Sequence, residues 1–177
     1  MKKLIISLCL TSLISGSALA QTCKFDSIAP SQPEGQFLDN NDGTVTDIVN
    51  GLVWTKCSIG QAYTDGLCKG TPFNVSSWQQ ALTTVRDNEE YLDSTGWRLP
   101  NIKELGSLVE RACVAPSINL NMFPSTPSAA YWTNTFDAQN INPTQGVDGL
   151  IVDFSDGSEF LTDVTTHKLI RMVKDLN

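Results

Sequence analysis

The sequence has few of the histidines and closely spaced cysteines that many catalytic and metal centres use. It contains one histidine, His167, and no Cys-x-x-Cys pair among its five cysteines. With one histidine, no Ser-His-Asp or Cys-His arrangement can be argued from spacing. The missing Cys-x-x-Cys spacing disfavours a four-cysteine zinc site. We therefore expect no enzyme of these types, although a paired-carboxylate hydrolase stays open because acidic residues are plentiful.

The first twenty residues predict an export signal. Lys2 and Lys3 precede an apolar run from Leu4 to Ile14, and residues 18–20 form an Ala-x-Ala cleavage pattern. The run is shorter than the roughly 20 residues that span a bilayer, which disfavours an uncleaved membrane anchor. We expect cleavage after Ala20 and a periplasmic or secreted mature chain of 157 residues, enough for one domain.

Basic residues are scarce. Without Lys2 and Lys3, the 12 basic residues become 10 against 19 acidic ones, a net charge of −9. Binding to polyanions depends on lysine and arginine neutralising phosphates. The composition therefore excludes nucleic acid and disfavours anionic lipid as partners, and no second apolar stretch predicts a membrane span.

The four cysteines beyond residue 20 predict a disulfide framework, since an even count in an exported chain is typical of one. Three pairings are open. Cys57 and Cys68 enclose a short loop with glycine and aspartate, which favours a local Cys57–Cys68 bond. Cys23 with Cys113 then follows by elimination.

Two helices are predicted in the middle of the chain. The first begins at Ser76 or Ser77 with a capping box to Gln79 or Gln80. Its apolar stripe is Trp78, Ala81, Leu82 and Val85. The second follows Pro100, with Asn101 and Glu104 as cap. Its predicted buried face is Ile102, Leu105, Leu108, Val109 and Ala112.

Strand-like segments lie on both sides of the helices. Residues 21–36 are predicted as an extended polar arm. The predicted strand regions are a hairpin region over 37–55 with turns at Asp42-Gly43 and Asn50-Gly51, then 131–133, 150–154, 159–161 and 169–173. Elements segregated in this way predict an α+β fold with an antiparallel sheet.

Several motifs stand in an order that resembles the bacterial Lcl C-terminal domain family. They are D-G-T-V-T-D at 42–47, G-L-V-W at 51–54, W-Q-Q-A-L at 78–82, W-R-L-P-N-I-K-E-L at 97–105, Tyr131-Trp132 and V-D-F at 152–154. The resemblance runs from about Phe37 to Val173, nearly all of the expected mature chain. Together with the export signal and the polar arm, it predicts a signal peptide at 1–20, an arm at 21–36 and one domain at 37–177. It implies a fold similar to C-type lectins and formylglycine-generating enzymes, with two helices packed on a small antiparallel sheet and a long irregular loop region.

The resemblance also implies a function. The best-known adhesin of this family uses the domain to bind sulfated polysaccharides, so we expect a non-catalytic module that binds a glycan or another surface polymer. A charge of −9 suits a sulfated polymer only with a local basic patch or a bridging cation. The alternatives are an envelope component that binds a protein partner and a polysaccharide hydrolase.

The loop from Asn134 to Asp148 lies where the resemblance places a ligand site. We expect Trp54, Trp78 and Trp97 in the core and Trp132 at the site. The candidate ligand-binding residues are Trp132, Asn134, Asp137, Asn140, Asn142 and Asp148.

A weaker candidate site for calcium lies in the first hairpin region. Its oxygen-bearing side chains are Asp39, Asn41, Asp42 and Asp47. The EF-hand spacing fails because Gly43 is the fifth residue from Asp39, so a solvated turn is the favoured interpretation. No other cofactor is expected.

Overall fold

The computed structural model describes residues 20–137 and 147–176. The elements in chain order are β1 (Thr22–Cys23), β2 (Phe37–Asp39), β3 (Thr44–Asp47), β4 (Leu52–Thr55), β5 (Ala62–Thr64), β6 (Leu67–Lys69), α1 (Trp78–Arg86), α2 (Ile102–Gly106), β7 (Cys113–Val114), β8 (Ala130–Phe136), β9 (Asp148–Asp153), β10 (Ser158–Asp163) and β11 (Val173–Asp175). Neither helix of the described part is long and apolar enough to cross a membrane.

Two antiparallel sheets form the body. One has the strand order β11-β4-β3-β2, and the other has the order β10-β9-β8. Two short ladders, β1 with β7 and β5 with β6, are also antiparallel. With two short helices beside these sheets, the protein is a sheet-rich α+β domain, as predicted.

The predicted hairpins between residues 37 and 55 are confirmed. Phe37 lies opposite Asp47 in the β2–β3 ladder, and Thr44 lies opposite Thr55 in the β3–β4 ladder. Gly43 in the first turn has φ +90, a left-handed conformation that glycine adopts without strain. The turn chemistry of the sequence therefore set the register here.

The two sheets and the helices enclose the core. Trp54 of β4 and Tyr131 of β8 belong to one buried cluster with Leu105 of α2. Trp97 and Trp132 belong to a second cluster beside α1. The predicted core positions of Trp54 and Trp97 are confirmed, with 0% and 3% of each residue exposed, and Trp78 is half-buried.

Helix α1 starts where the sequence predicted. The hydroxyl of Ser77 accepts a hydrogen bond from the backbone N–H of Gln80 at 3.1 Å. Ala81 and Val85 are buried, but Leu82 is 37% exposed. The predicted apolar stripe was therefore too wide, because only one side of the helix packs against the sheet.

Helix α2 has the predicted capping box but not the predicted length. Glu104 N–H donates to Asn101 Oδ1 at 2.9 Å, and Asn101 N–H donates to Glu104 Oε2 at 2.7 Å. The helix ends at Gly106, because Val109 beyond it forms a bridge with Ile118. Leu108, Val109 and Ala112 are buried without being helical, so the periodicity predicted burial correctly and the helix incorrectly.

Both predicted disulfides are confirmed. Cys23 and Cys113 join the arm to the body across the β1–β7 ladder, and Cys57 and Cys68 close a loop containing β5 and β6. The β5–β6 hairpin was not predicted. The predicted strand at 169–173 was also wrong, since β11 begins only at Val173 and Leu169 makes one isolated bridge to Tyr131.

Candidate functional site

Trp132 cannot serve as the predicted ligand platform in this structure. The residue is 0% exposed and belongs to the buried cluster beside α1. Its backbone N–H donates to Leu169 O at 3.0 Å, and the buried side chains of its cluster include Val53, Val75 and Ala81. A sugar stacks only on an accessible ring face, so the assignment of Trp132 to the ligand site was wrong.

Three of the other predicted ligand residues, Asn134, Asp137 and Asp148, lie at the base of the 134–148 loop. Asn134 is exposed, and its backbone N–H donates to Pro100 O at 2.7 Å. Asp137 N–H donates to Asp148 O at 2.9 Å, which closes the base of the loop. Asn140 and Asn142 lie outside the described residues.

The four candidate calcium ligands do not converge. Asp39 forms an ion pair with Lys56, and Asp42 Oδ1 accepts hydrogen bonds from the N–H and hydroxyl of Thr44 at 2.9 and 2.6 Å. Asp47 lies at the opposite end of the β2–β3 ladder, where its carboxylate accepts bonds from Asn50. Asn41 N–H donates to Asp39 Oδ1 at 2.8 Å, which closes a turn. Within residues 20–137 and 147–176, no three acidic, histidine or cysteine side chains are grouped to hold a metal.

An open groove of about 530 Å³ lies at the other end of the β8–β9 hairpin. We call it the Phe160 groove. The residues that line it are Pro72, Asn74, Pro127, Ala129, Ala130, Asp153, Phe160, His167, Lys168 and Leu169. They come from five separate segments of the chain.

Backbone pairing brings these segments together. Val75 N–H donates to Lys168 O at 3.0 Å, and Lys168 N–H donates to Val75 O at 3.1 Å. Because the bridge is antiparallel, it places Asn74 opposite Leu169. Leu169 N–H donates to Ala130 O at 3.0 Å, which holds the same segment against the end of β8. Asp153 lies opposite Ala130 in the β8–β9 ladder, so its carboxylate belongs to the same end of the sheet.

The groove combines an aromatic ring with several kinds of polar group. Phe160 is 44% exposed on β10, where it lies opposite Ile151. Asn74 supplies an amide and His167 an imidazole, and both residues are exposed. Asp153 uses Oδ1 to accept a bond from Ser155 N–H at 2.8 Å. An aromatic face beside an amide, a carboxylate and an imidazole can pack against a sugar ring and bond its hydroxyls.

The groove is also less acidic than the protein as a whole. Lys168 and His167 line it together with one carboxylate, that of Asp153. The Lys168 ammonium donates to Thr166 Oγ1 at 3.0 Å and lies 5.7 Å from the centre of the Trp132 ring. One lysine beside one carboxylate leaves the groove close to neutral, whereas the protein as a whole is strongly acidic.

The predicted loop and the Phe160 groove are well separated. Ala130 pairs with Asp153 at the groove end of the β8–β9 ladder, whereas Phe136 pairs with Gly149 at the loop end. Six residues of strand correspond to about 20 Å. Sequence reasoning missed Asn74 and Phe160, because their proximity depends on bridges between distant segments. The exposed phenylalanine on a strand was the only available signal.

Comparison with known families identifies the domain. The Lcl C-terminal domain family matches the chain over residues 43–174, and the protein belongs to this family. The matched region includes β3 through α2 and the whole β8–β10 sheet, and therefore the strands that position the Phe160 groove. A comparison with curated proteins found no match.

Proposed function

We propose that this protein is an exported, non-catalytic module that binds a glycan or another surface polymer through the Phe160 groove. The observation that carries the proposal is the exposed ring of Phe160 beside the side chains of Asn74, Asp153 and His167. Carbohydrate sites combine a flat apolar face with a few polar groups that fix orientation. This groove supplies both in one place.

Export is the second part of the proposal. Residues 1–20 have the pattern of a cleaved signal, and two disulfides favour an oxidising compartment such as the periplasm or the cell exterior. The finer part of the fold proposal is a C-type-lectin-like arrangement of the two helices and the antiparallel sheets. It rests on the family resemblance and is compatible with the sheet-rich α+β class.

The ligand class follows from the charge of the groove. The single carboxylate among the described lining residues is balanced by Lys168. We therefore propose a neutral or weakly anionic sugar rather than a densely sulfated chain. Binding rather than hydrolysis is favoured because glycoside hydrolysis uses a pair of carboxyl groups, and Asp153 is the single acidic residue among the described residues that line this groove.

A glycan array with the purified disulfide-bonded protein, with and without chelator, tests the proposal. Phe160→Ala is expected to weaken binding of any array hit about tenfold or more, the equivalent of about 1.4 kcal/mol. Leu161→Ala is a matched control, because Leu161 is the next residue of β10, is also 44% exposed and points to the other face of the sheet. It is expected to change affinity less than about twofold.

Three outcomes would count against the groove. Equal losses in Phe160→Ala and Leu161→Ala would indicate general destabilisation. A second outcome combines two results: binding is lost when residues 138–146 are replaced by a short glycine turn, and Phe160→Ala leaves affinity unchanged. That outcome would indicate that the ligand binds at the loop. Absence of any glycan hit, together with a stoichiometric protein crosslinked in cells, would favour an envelope component instead.

A further inference from the structure

A second cavity, of about 570 Å³, lies between the arm and the body of the domain. We call it the Glu110 cavity. Its arm wall is held in place, because Cys23 is bonded to Cys113 and the Gln21 amide donates to the carbonyls of Pro116 and Ile118 at 2.7 Å each. The cavity is therefore formed by fixed backbone on both sides.

The carboxylate of Glu110 lines this cavity and is 4% exposed. It accepts bonds only from neutral donors. Ser31 N–H lies 3.1 Å from Oε1 and 3.2 Å from Oε2, Ser31 Oγ lies 3.0 Å from Oε1, and Ala112 N–H lies 2.9 Å from Oε1. Three of the four bonds go to Oε1, so Oε2 keeps most of its capacity to accept. In the described part of the chain, none of the ion pairs involves Glu110.

A buried carboxylate without a cation is costly, and a bound cation would remove that cost. The rest of the wall also favours a cation. Gln32 donates its amide to Leu108 O at 2.9 Å, which leaves its Oε1 buried and without a donor. Glu34 adds a second carboxylate, and the described residues that line the cavity include no lysine, arginine or histidine.

The remaining wall is apolar. It includes Phe25, which is 54% exposed at the rim, together with Phe37, Leu120 and Met122. Such side chains pack against an aliphatic stem and offer nothing to a bare inorganic ion. The cavity therefore matches a positive head group carried on a hydrocarbon stem.

We propose that the Glu110 cavity binds an organic cation, an ammonium or guanidinium group on an aliphatic stem, whose head pairs with the Glu110 carboxylate. The stem packs against Phe25, Leu120 and Met122. The same chemistry occurs in a free aliphatic diamine and in a lysine or arginine side chain of a peptide. This inference is independent of the glycan proposal, because the cavity and the Phe160 groove share no lining residue.

Titration calorimetry of the disulfide-bonded protein at neutral pH and low salt tests the inference. The probes are cadaverine, agmatine, the uncharged analogue 1-pentanol, and a blocked Gly-Lys-Gly tripeptide. We expect both cations to bind with Kd at or below about 1 mM, and 1-pentanol to bind at least about tenfold more weakly. Tighter binding of the tripeptide than of cadaverine would indicate a peptide source, and the reverse a free amine.

Two variants locate the binding. Glu110→Gln keeps the shape of the side chain and removes its charge. It is expected to weaken the binding of cadaverine at least about tenfold. Glu90→Gln makes the same charge change at an exposed position and is expected to have less than about a twofold effect. If Glu110→Gln fails to fold, Phe25→Ala at the exposed rim provides a second test. It is expected to weaken the binding of cadaverine and agmatine about threefold or more without changing the stability of the protein.

No heat and no shift in melting temperature with about 10 mM of either cation would overturn the inference. So would equal affinity for cadaverine and 1-pentanol. Binding that survives both Glu110→Gln and Phe25→Ala would place the cation elsewhere and overturn it as well.

Discussion

The guanidinium carbon of Arg171 lies 4.9 Å from the centre of the Phe123 ring, in a core position where Arg171 is 0% exposed. No carboxylate forms an ion pair with Arg171 in the described part of the chain. Instead, its guanidinium donates to the carbonyls of Thr55 and Lys56 and to Thr126 Oγ1. The cation thus ties the end of β4 to a distant loop through the fork of donors that only arginine has.

Arg171→Lys is therefore expected to destabilise the protein. One ammonium cannot reproduce the forked contacts, so buried acceptors lose their donor and the free energy of unfolding falls by about 2–4 kcal/mol. Arg86→Lys is the control, since the Arg86 side chain is 72% exposed, and its change is expected within about 0.5 kcal/mol. Urea denaturation followed by tryptophan fluorescence measures both. Equal effects would contradict a bonding role for Arg171.

The ion pair between Asp39 and Lys56 predicts a pH dependence of stability. The hydrogen bond from Lys56 is the main cause that lowers the pKa of Asp39 below its ordinary 3.8. Burial by itself lowers the pKa of Lys56, but its hydrogen bonds to Asp39 and Tyr63 outweigh burial and raise it above 10.5. The Asp39 contribution is therefore present above pH 3.8 and is lost as pH falls through the lowered folded value. The Lys56 contribution is present below pH 10.5 and is lost as pH rises through the raised folded value.

Asp39→Asn tests this pH window. Asp39 is one-third exposed and Lys56 is almost fully buried. We therefore expect the free energy of unfolding of the variant to be about 1–3 kcal/mol lower between about pH 5 and pH 9. The difference between the two proteins should shrink below pH 3.8 and above pH 10.5. Chemical denaturation at a series of pH values measures it, and a difference that is constant down to pH 2 would contradict the pairing.

Gly157 occupies a turn that no other residue fits. Its φ is +80, and an added Cβ would lie 2.5 Å from Val109 Cγ1. Gly66 has nearly the same backbone, with φ +78, but no atom within 4 Å of an added Cβ. Gly66→Ala is expected to lower the free energy of unfolding by about 1–2 kcal/mol, because alanine must adopt the left-handed backbone conformation. Gly157→Ala is expected to cost about 1–3 kcal/mol more, because the core must move. Thermal unfolding of the two variants checks this, and equal melting temperatures would contradict it.

Glu104 accepts two parallel hydrogen bonds from Arg98, at 2.8 and 2.9 Å, while it also caps α2 through Asn101 N–H. Glu104→Gln replaces one acceptor oxygen with a donor that faces the guanidinium. We expect the free energy of unfolding to fall by about 2 kcal/mol, against less than about 0.5 kcal/mol for Glu90→Gln at an exposed site. Denaturation in urea compares them. No difference between the two variants would contradict the role of the Arg98–Glu104 pair.

These contacts explain why the sequence predicted the family better than the site. Within W-R-L-P-N-I-K-E-L, Trp97 is buried, Arg98 and Glu104 form a forked ion pair, and Asn101 caps a helix. The motif therefore specifies the fold around α2. A chain can keep it unchanged while the residues of a binding groove differ.

Local sequence patterns correctly predicted the structural features that depend on residues close together in the chain. Turns at Gly43 and Gly51, the cap at Ser77 and the Cys57–Cys68 bond all involve nearby residues, and the structure confirms them. Trp132 was misplaced because the residues of its buried cluster, among them Val53, Val75 and Ala81, are far away in sequence. The Phe160 groove also depends on bridges between distant segments, so local sequence patterns did not predict which residues line it.

The order β10-β9-β8 leaves one side of β10 without a paired strand in the described part of the chain. An open row of peptide groups can recruit a second copy and begin aggregation. Glu159 and Asp163 stand on this strand, both exposed, so two molecules that approached edge to edge would bring four negative charges together. Wherever many copies are crowded together, this repulsion opposes pairing along β10 and leaves the neighbouring Phe160 uncovered.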